Sequence, residues 1–196
     1  NRSGKLSSTK AIHVMDDLQG LIAAVVDGGE TGIGLESTVL DVTLEVPTIL
    51  RPGGVTKEML EAVIGQVNVP KIEEQEAGIA PKAPGMKYTH YAPNAPVYLV
   101  KPDIEIIKQS VRKLMENGEK VALIAPNELQ DTLANYYFSV GQMNDLHTYS
   151  ALLYDALREC DKTDATVILA TTTTYEGVGA AIMNRLEKAA VGYFSF

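Results

Sequence analysis

The sequence predicts an α/β protein in two unequal parts, and three observations predict it. From Val97 onward, short apolar runs alternate with amphipathic stretches of helical period. That alternation argues for a parallel sheet covered by helices on both faces. Before Gly65 there are strand and helix signals, but too few for a closed domain, so residues 1–66 read as part of a larger α/β sheet domain. Between the two, Val67–Pro96 is rich in proline, carries the acidic run EEQE and has no periodicity, which reads as a linker.

Each element has its own signal. In SSTKAIHVMDDL, Ala11, Val14, Met15 and Leu18 fall on one helical face, with Ser7 or Ser8 as the N-cap. Leu21–Asp27, LIAAVVD, reads as a buried strand stopped by Gly28 and Gly29. Ser37–Thr43 and Pro47–Arg51 read as two strands joined by a short turn. Thr56 is placed to cap a helix with Glu58 in its first turn, Met59, Leu60, Val63 and Ile64 inside, and Gly65 as its stop. In residues 97–196, Val97–Val100, Lys120–Ala125 and Ala165–Ala170 read as strands. Helices are expected after Asp103 (with Ile107, Val111, Leu114 and Met115, closed by Gly118), around Glu128–Tyr136, over Tyr149–Cys160, and over Val178–Ala189 with Ile182 and Leu186. The layout is Rossmann-like or flavodoxin-like.

Composition narrows the function. The chain has 196 residues, 45% of them apolar, enough for a buried core. No window approaches the roughly 18 consecutive apolar residues of a membrane span, and no signal segment is visible. The chain opens on Asn1 in turn-like sequence, which reads as a fragment of a longer protein. A net charge of −8, with no Lys/Arg-rich run, disfavours direct nucleic-acid binding. The single cysteine, Cys160, forms no intrachain disulfide; a reduced, cytoplasmic setting is expected, with Cys160 packing a helix face. His13 and His147 have no partners at metal spacing.

Several short segments have chemistry to offer. Arg51-Pro52-Gly53 ends a strand, where the arginine presents a planar fork of donors to phosphate or carboxylate, or to a neighbouring acid. Glu36-Ser37-Thr38 follows the glycine loop Gly28–Gly34 into a strand, and its hydroxyls suit a small polar ligand or local backbone groups. That loop is not a dinucleotide fingerprint, because a strand follows it and the third glycine is absent. Asn1 to Thr9 brings small polar groups and cations to a helix start, which suits a phosphate or simple capping. In Pro84–Pro93, Lys87, Tyr88, His90 and Tyr91 fit a segment that folds over a base and phosphate, or one anchored on a domain surface. Thr171–Thr174 and Glu176–Gly179 lie between a strand and a helix, the usual ligand end of an open sheet.

Taken in order, the strings N-x-S-G-x-x-S-x-T, G-x-E-S-T-V-x-D, I-L-R-P-G, P-G-M-K-Y-x-H-Y-A-P and A-I-M-N-R-L-x-K-A-A resemble the long, two-domain threonylcarbamoyl-AMP synthases. The resemblance spans essentially the whole chain. It implies a YrdC-like catalytic domain, represented by its C-terminal part in residues 1–66, then the linker 67–96 and a Rossmann-like domain in 97–196. It also implies a nucleotidyltransferase that uses L-threonine, bicarbonate and ATP, with Mg2+, to form threonylcarbamoyl-AMP and pyrophosphate. The product would feed tRNA modification through downstream partner proteins. Carried over by position, Asn1, Thr9 (or the neighbouring Ser7 or Ser8), Arg51 and a linker tyrosine, Tyr88 or Tyr91, are implied ATP contacts, and Ser37 an implied threonine contact. The family's K-x-R motif and the serine of its S-x-N motif have no counterpart here, so the chain alone is expected to be inactive. Competing readings are a non-catalytic interaction module and an unrelated Rossmann nucleotide binder.

Overall fold

The computed structural model describes residues 1–2, 5–69, 92–130 and 133–195. Its larger unit is a five-stranded sheet in the order β5-β4-β6-β3-β7, with every neighbouring pair parallel. The strands are β3 (Val97–Val100), β4 (Val121–Ala125), β5 (Tyr136–Ser139), β6 (Val167–Thr171) and β7 (Ala190–Tyr193). Because side chains alternate across a strand, β4 sends Ala122 and Ile124 to one face, and Val121, Leu123 and Ala125 to the other. Helix α3 (Ile104–Glu116) covers the second face with Ile107, Val111 and Leu114. Helices α4 (Leu146–Cys160) and α5 (Val178–Ala189) cover the first with Tyr149, Leu153, Leu157, Ile182 and Leu186. All five residues of β4 and of β6 are buried, as a parallel strand covered on both sides must be.

Local chemistry sets the helix ends. The Asp103 carboxylate accepts from the N–H groups of Glu105 and Ile106, and Asp145 from that of Thr148, so both helices start on a filled cap. Thr56 does the same for α2 (Lys57–Ile64) through the Met59 N–H, and Gly65 ends that helix at a φ of 79°. Strands β1 (Val39–Asp41) and β2 (Thr48–Arg51) pair antiparallel, as the sequence predicts, over a shorter first strand.

Five expectations are corrected. The stretch Leu21–Asp27 is not a strand; it runs as exposed coil, with Val26 95% exposed. Its apolar residues signal a ladder, but no strand among the described residues pairs with it. Helix α1 (Ala11–Leu18) begins on Lys10 without a side-chain cap, not on Ser7 or Ser8. Its one fully buried residue is His13, while Met15 is 40% exposed. In α2 no residue is buried, so Met59, Val63 and Ile64 keep their helical spacing but face outward. The segment around Glu128–Tyr136 holds a 3-10 turn, Asn127–Leu129, and then β5 rather than a helix. The aromatic run YYFS has the strand preference that wins there. Strand β7 follows α5 with no glycine or proline between them, so nothing in the sequence punctuates it.

Of the span read as a linker, residues 70–91 lie outside the described residues. At its flanks, Asn68 bridges to Thr48, and the Asn94 N–H donates to Asp161.

Candidate functional site

Residues 1–69 pack on the α4–α5 face of the sheet. Leu6 is buried in the same apolar cluster as Tyr154, Leu157 and Ile182, and Leu35 packs against it. Gly34, at a φ of 72°, lies directly on the backbone of α4: a Cβ built there falls 2.5 Å from Ala151 Cα and from the Ser150 carbonyl. The last glycine of the loop therefore lets the chain rest directly on a helix backbone.

Two polar joints cross the same interface. In the first, the Glu36 carboxylate accepts from Arg185 Nε at 2.7 Å, from the Tyr154 hydroxyl at 3.0 and 3.1 Å, and from the Ser7 hydroxyl. Arg185 is 1% exposed. Burial alone would raise the Glu36 pKa, but the Arg185 charge and the hydrogen bonds from Ser7 and Arg185 bring it below the usual carboxylate value. In the second, the Asp155 carboxylate binds His13 Nε2 at 3.0 Å and Lys10 Nζ at 2.7 Å, while Arg158 pairs with Asp17 at 2.7 Å.

The sequence-predicted site residues sit beside these joints. Ser37 and Arg51 are brought together: Arg51 Nε and Nη2 donate to the Ser37 carbonyl at 3.1 and 3.0 Å. A clasped guanidinium is held in one plane at the end of β2. Nearby, burial and the charges of Arg185 and Arg51 lower the Lys188 ammonium to about 8, against an opposing pull from Glu36. Thr9 is buried; its N–H donates to His13 Nδ1 at 3.1 Å, and its carbonyl accepts from the Thr31 N–H. Asn1 stands apart from them, its side-chain amide donating to the carbonyls of Arg2 and Lys5. Tyr88 and Tyr91 lie outside the described residues.

Sequence reasoning missed Glu36, Arg185, His13 and Asp155 as site-shaping residues. One signal was present: Arg185 stands in the apolar helical register of Ile182 and Ala189, and a charge in that register needs a buried partner. Cys160 is buried, and burial pushes its thiol up to about 12, which fits packing rather than nucleophilic chemistry. Beyond β6, the Thr171–Gly179 connection borders an open cleft with Thr56, Glu58, Met59 and His147. Among the described residues no group of three His, Cys, Asp or Glu is placed to hold a metal ion. No helix among them is long and apolar enough to cross a membrane.

His13 makes the interface sensitive to acid. With Thr9 donating to Nδ1, the ring is neutral and its proton sits on Nε2 toward Asp155. Burial first, and the Arg158 charge second, lower its pKa below 6.5. The unfolded chain then binds the proton more readily, so the stabilisation is complete above pH 6.5 and is lost as pH falls through the folded value. The urea midpoint is expected to drop between pH 7 and pH 5, and to drop less steeply in His13→Gln.

The fold and these joints define a two-part α/β protein in which an arginine-bearing strand end is docked onto a parallel-sheet unit. Residues 55–191 match the family model described as "Threonylcarbamoyl-AMP synthase, C-terminal domain", and residues 1–53 match one described as "Telomere recombination". The chain belongs to the threonylcarbamoyl-AMP synthase family. It is 47% identical over 194 residues to the threonylcarbamoyl-AMP synthase of Bacillus subtilis (strain 168), covering 98% of this chain and 56% of that protein. It is 41% identical over 198 residues to that of Pyrococcus abyssi, covering 98% and 56%. The crystal structure of P. abyssi Sua5 complexed with L-threonine superposes with a TM-score of 0.86 at 39% identity, over 99% of this chain and 58% of that one. The chain thus spans a little over half the length of these relatives.

Proposed function

We propose that this chain supplies part of the substrate site of an L-threonylcarbamoyladenylate synthase, together with the domain that supports it. The observation that carries the reading is the clasp of Arg51 on the Ser37 carbonyl, which fixes a guanidinium beside an exposed hydroxyl at a strand end. In this reading Arg51 holds an ATP phosphate, and Thr9 and Asn1 line the nucleotide. Ser37 contacts the threonine, and a linker tyrosine, Tyr88 or Tyr91, covers the nucleotide. The threonine-bound state of the P. abyssi relative supports an amino-acid substrate.

The chemistry runs in two steps. The threonine amine attacks bicarbonate, losing water, to give a carbamate. A carbamate oxygen then attacks the α-phosphorus of ATP and expels pyrophosphate. Arg51 stabilises charge developing on the phosphates. Mg2+, commonly held by one or two carboxylates together with substrate phosphates, would enter with ATP. Division into 1–66, 67–96 and 97–196, a cytoplasmic setting and hand-over of the adenylate to tRNA-modifying partners complete the proposal.

The test is a graft of residues 1–196 in place of the matching segment of the B. subtilis protein, followed by pyrophosphate release. Release should require ATP, threonine and bicarbonate together; release that persists without threonine or without bicarbonate overturns the reading. With little over half of the relatives' length covered, the chain alone is expected to release none.

A further inference from the structure

We propose that Arg185 is a positioning residue for Arg51: by holding Glu36 it sets the Ser37 carbonyl on which the Arg51 guanidinium is clasped. The functional consequence rests on the synthase reading above. Four observations join into one chain. Arg185, 1% exposed on α5, grips Glu36 twice, with Nε on the carboxylate at 2.7 Å and Nη2 on the backbone carbonyl at 3.4 Å. The Tyr154 hydroxyl, on α4, closes the other side of that carboxylate. The next peptide carbonyl, that of Ser37, takes both donors of Arg51. Gly53 lies directly against the same backbone, with its notional Cβ 2.3 Å from Thr38 N and 2.5 Å from the Glu36 carbonyl.

The Glu36–Thr38 backbone is thereby pinned between the sheet domain and the R-P-G turn. Its freedom to rotate is limited by both contacts, and an interior with few dipoles free to compensate makes the charged grip stiff. A carbonyl accepts best near the plane of its peptide unit. Rotation of that peptide would therefore swing the guanidinium away from the ATP phosphate it is read to hold, and losing a planar, bidentate phosphate contact weakens binding of ATP. The sheet domain, with no assigned contact to substrate, would set the geometry of the phosphate-binding arginine from behind.

Two variants test this. Arg185→Lys keeps the charge but replaces the rigid planar fork by one ammonium on a flexible stem. Glu36→Met with Arg185→Met removes both charges, an exchange that buried pairs commonly tolerate in stability. On the 196-residue chain, the Arg51 Nε–H proton resonance should be sharp and protected in the parent and should broaden or shift in both variants. In the graft, the KM for ATP should rise about tenfold in the double variant and less in Arg185→Lys, with kcat changed less than KM. An Arg51 resonance unmoved in Arg185→Lys overturns the inference whether or not the double variant folds. An ATP KM within twofold of the parent in a folded double variant reduces the pair to a structural bond. Absence of turnover in the unmodified graft would count against the synthase reading and leave the resonance test decisive.

Discussion

Replacing Arg185 by methionine is expected to lower the free energy of unfolding by about 3–5 kcal/mol at pH 7, the range for removing one partner of a buried ion pair. The size follows from what remains. Glu36, its side chain 19% exposed, would keep the hydroxyls of Ser7 and Tyr154 but lose the charge that offsets its burial. Burial is the largest influence on this carboxyl and acts to raise its pKa, with the Arg185 charge the largest opposing one. Without Arg185 the folded pKa moves above the ordinary 4.5 instead of below it. The sign of the pH dependence then reverses. In the parent, the carboxylate contributes stability above pH 4.5 and loses it as pH falls through its depressed folded value. In Arg185→Met the ionised carboxylate is a cost, and protonation relieves it as pH falls toward 4.5. The gap between the two proteins in urea unfolding should therefore narrow from pH 7 to pH 5. A gap that is constant, or that widens on acidification, would show that Glu36 is not what Arg185 stabilises.

Much of the sheet domain was legible because its elements carry local signals. Asp103, Gly118, Ile182 and Leu186 announce helix ends and a buried stripe from nearby residues, and β4 and the first four residues of β6 are unbroken apolar runs. The failures came where local signal and tertiary context part. Leu21–Asp27 has a strand's composition and no strand beside it among the described residues, and β5 is a run of four residues too short to show a period. Of the site, the Ser37–Arg51 pair was within reach, since Ser37 lies just before β1 and Arg51 ends the neighbouring β2, 14 residues on. The joints behind it were not. Glu36 meets Arg185 across 149 positions, and His13 meets Asp155 across 142. A single sequence has no period that links such positions; only the unexpected charge in the Ile182–Ala189 stripe hinted at one end of the first joint.

Gly53→Ala is expected to have the largest effect on the site itself, abolishing detectable ATP-dependent turnover in the graft and costing roughly 1–3 kcal/mol or more of stability, as overpacked positions do. The three atoms that a Cβ at Gly53 would meet are Thr38 N at 2.3 Å, the Glu36 carbonyl oxygen at 2.5 Å and Ser37 C at 2.5 Å. All are backbone, so no rotamer change makes room. Either the R-P-G turn backs away from the strand pair, or the Glu36–Thr38 segment moves toward α4 and α5, where Arg185 and Tyr154 already occupy the space. Both routes stretch the 3.0 and 3.1 Å bonds from Arg51 to the Ser37 carbonyl. The neighbouring Gly54 provides the control. A Cβ there meets first the Cδ1 of Ile33, the far end of a flexible side chain that is 44% exposed and able to turn away. Gly54→Ala should then melt close to the parent and keep its ATP KM. If the two alanine variants behave alike in thermal melting and in KM, the close approach at Gly53 is not what holds Arg51 in place.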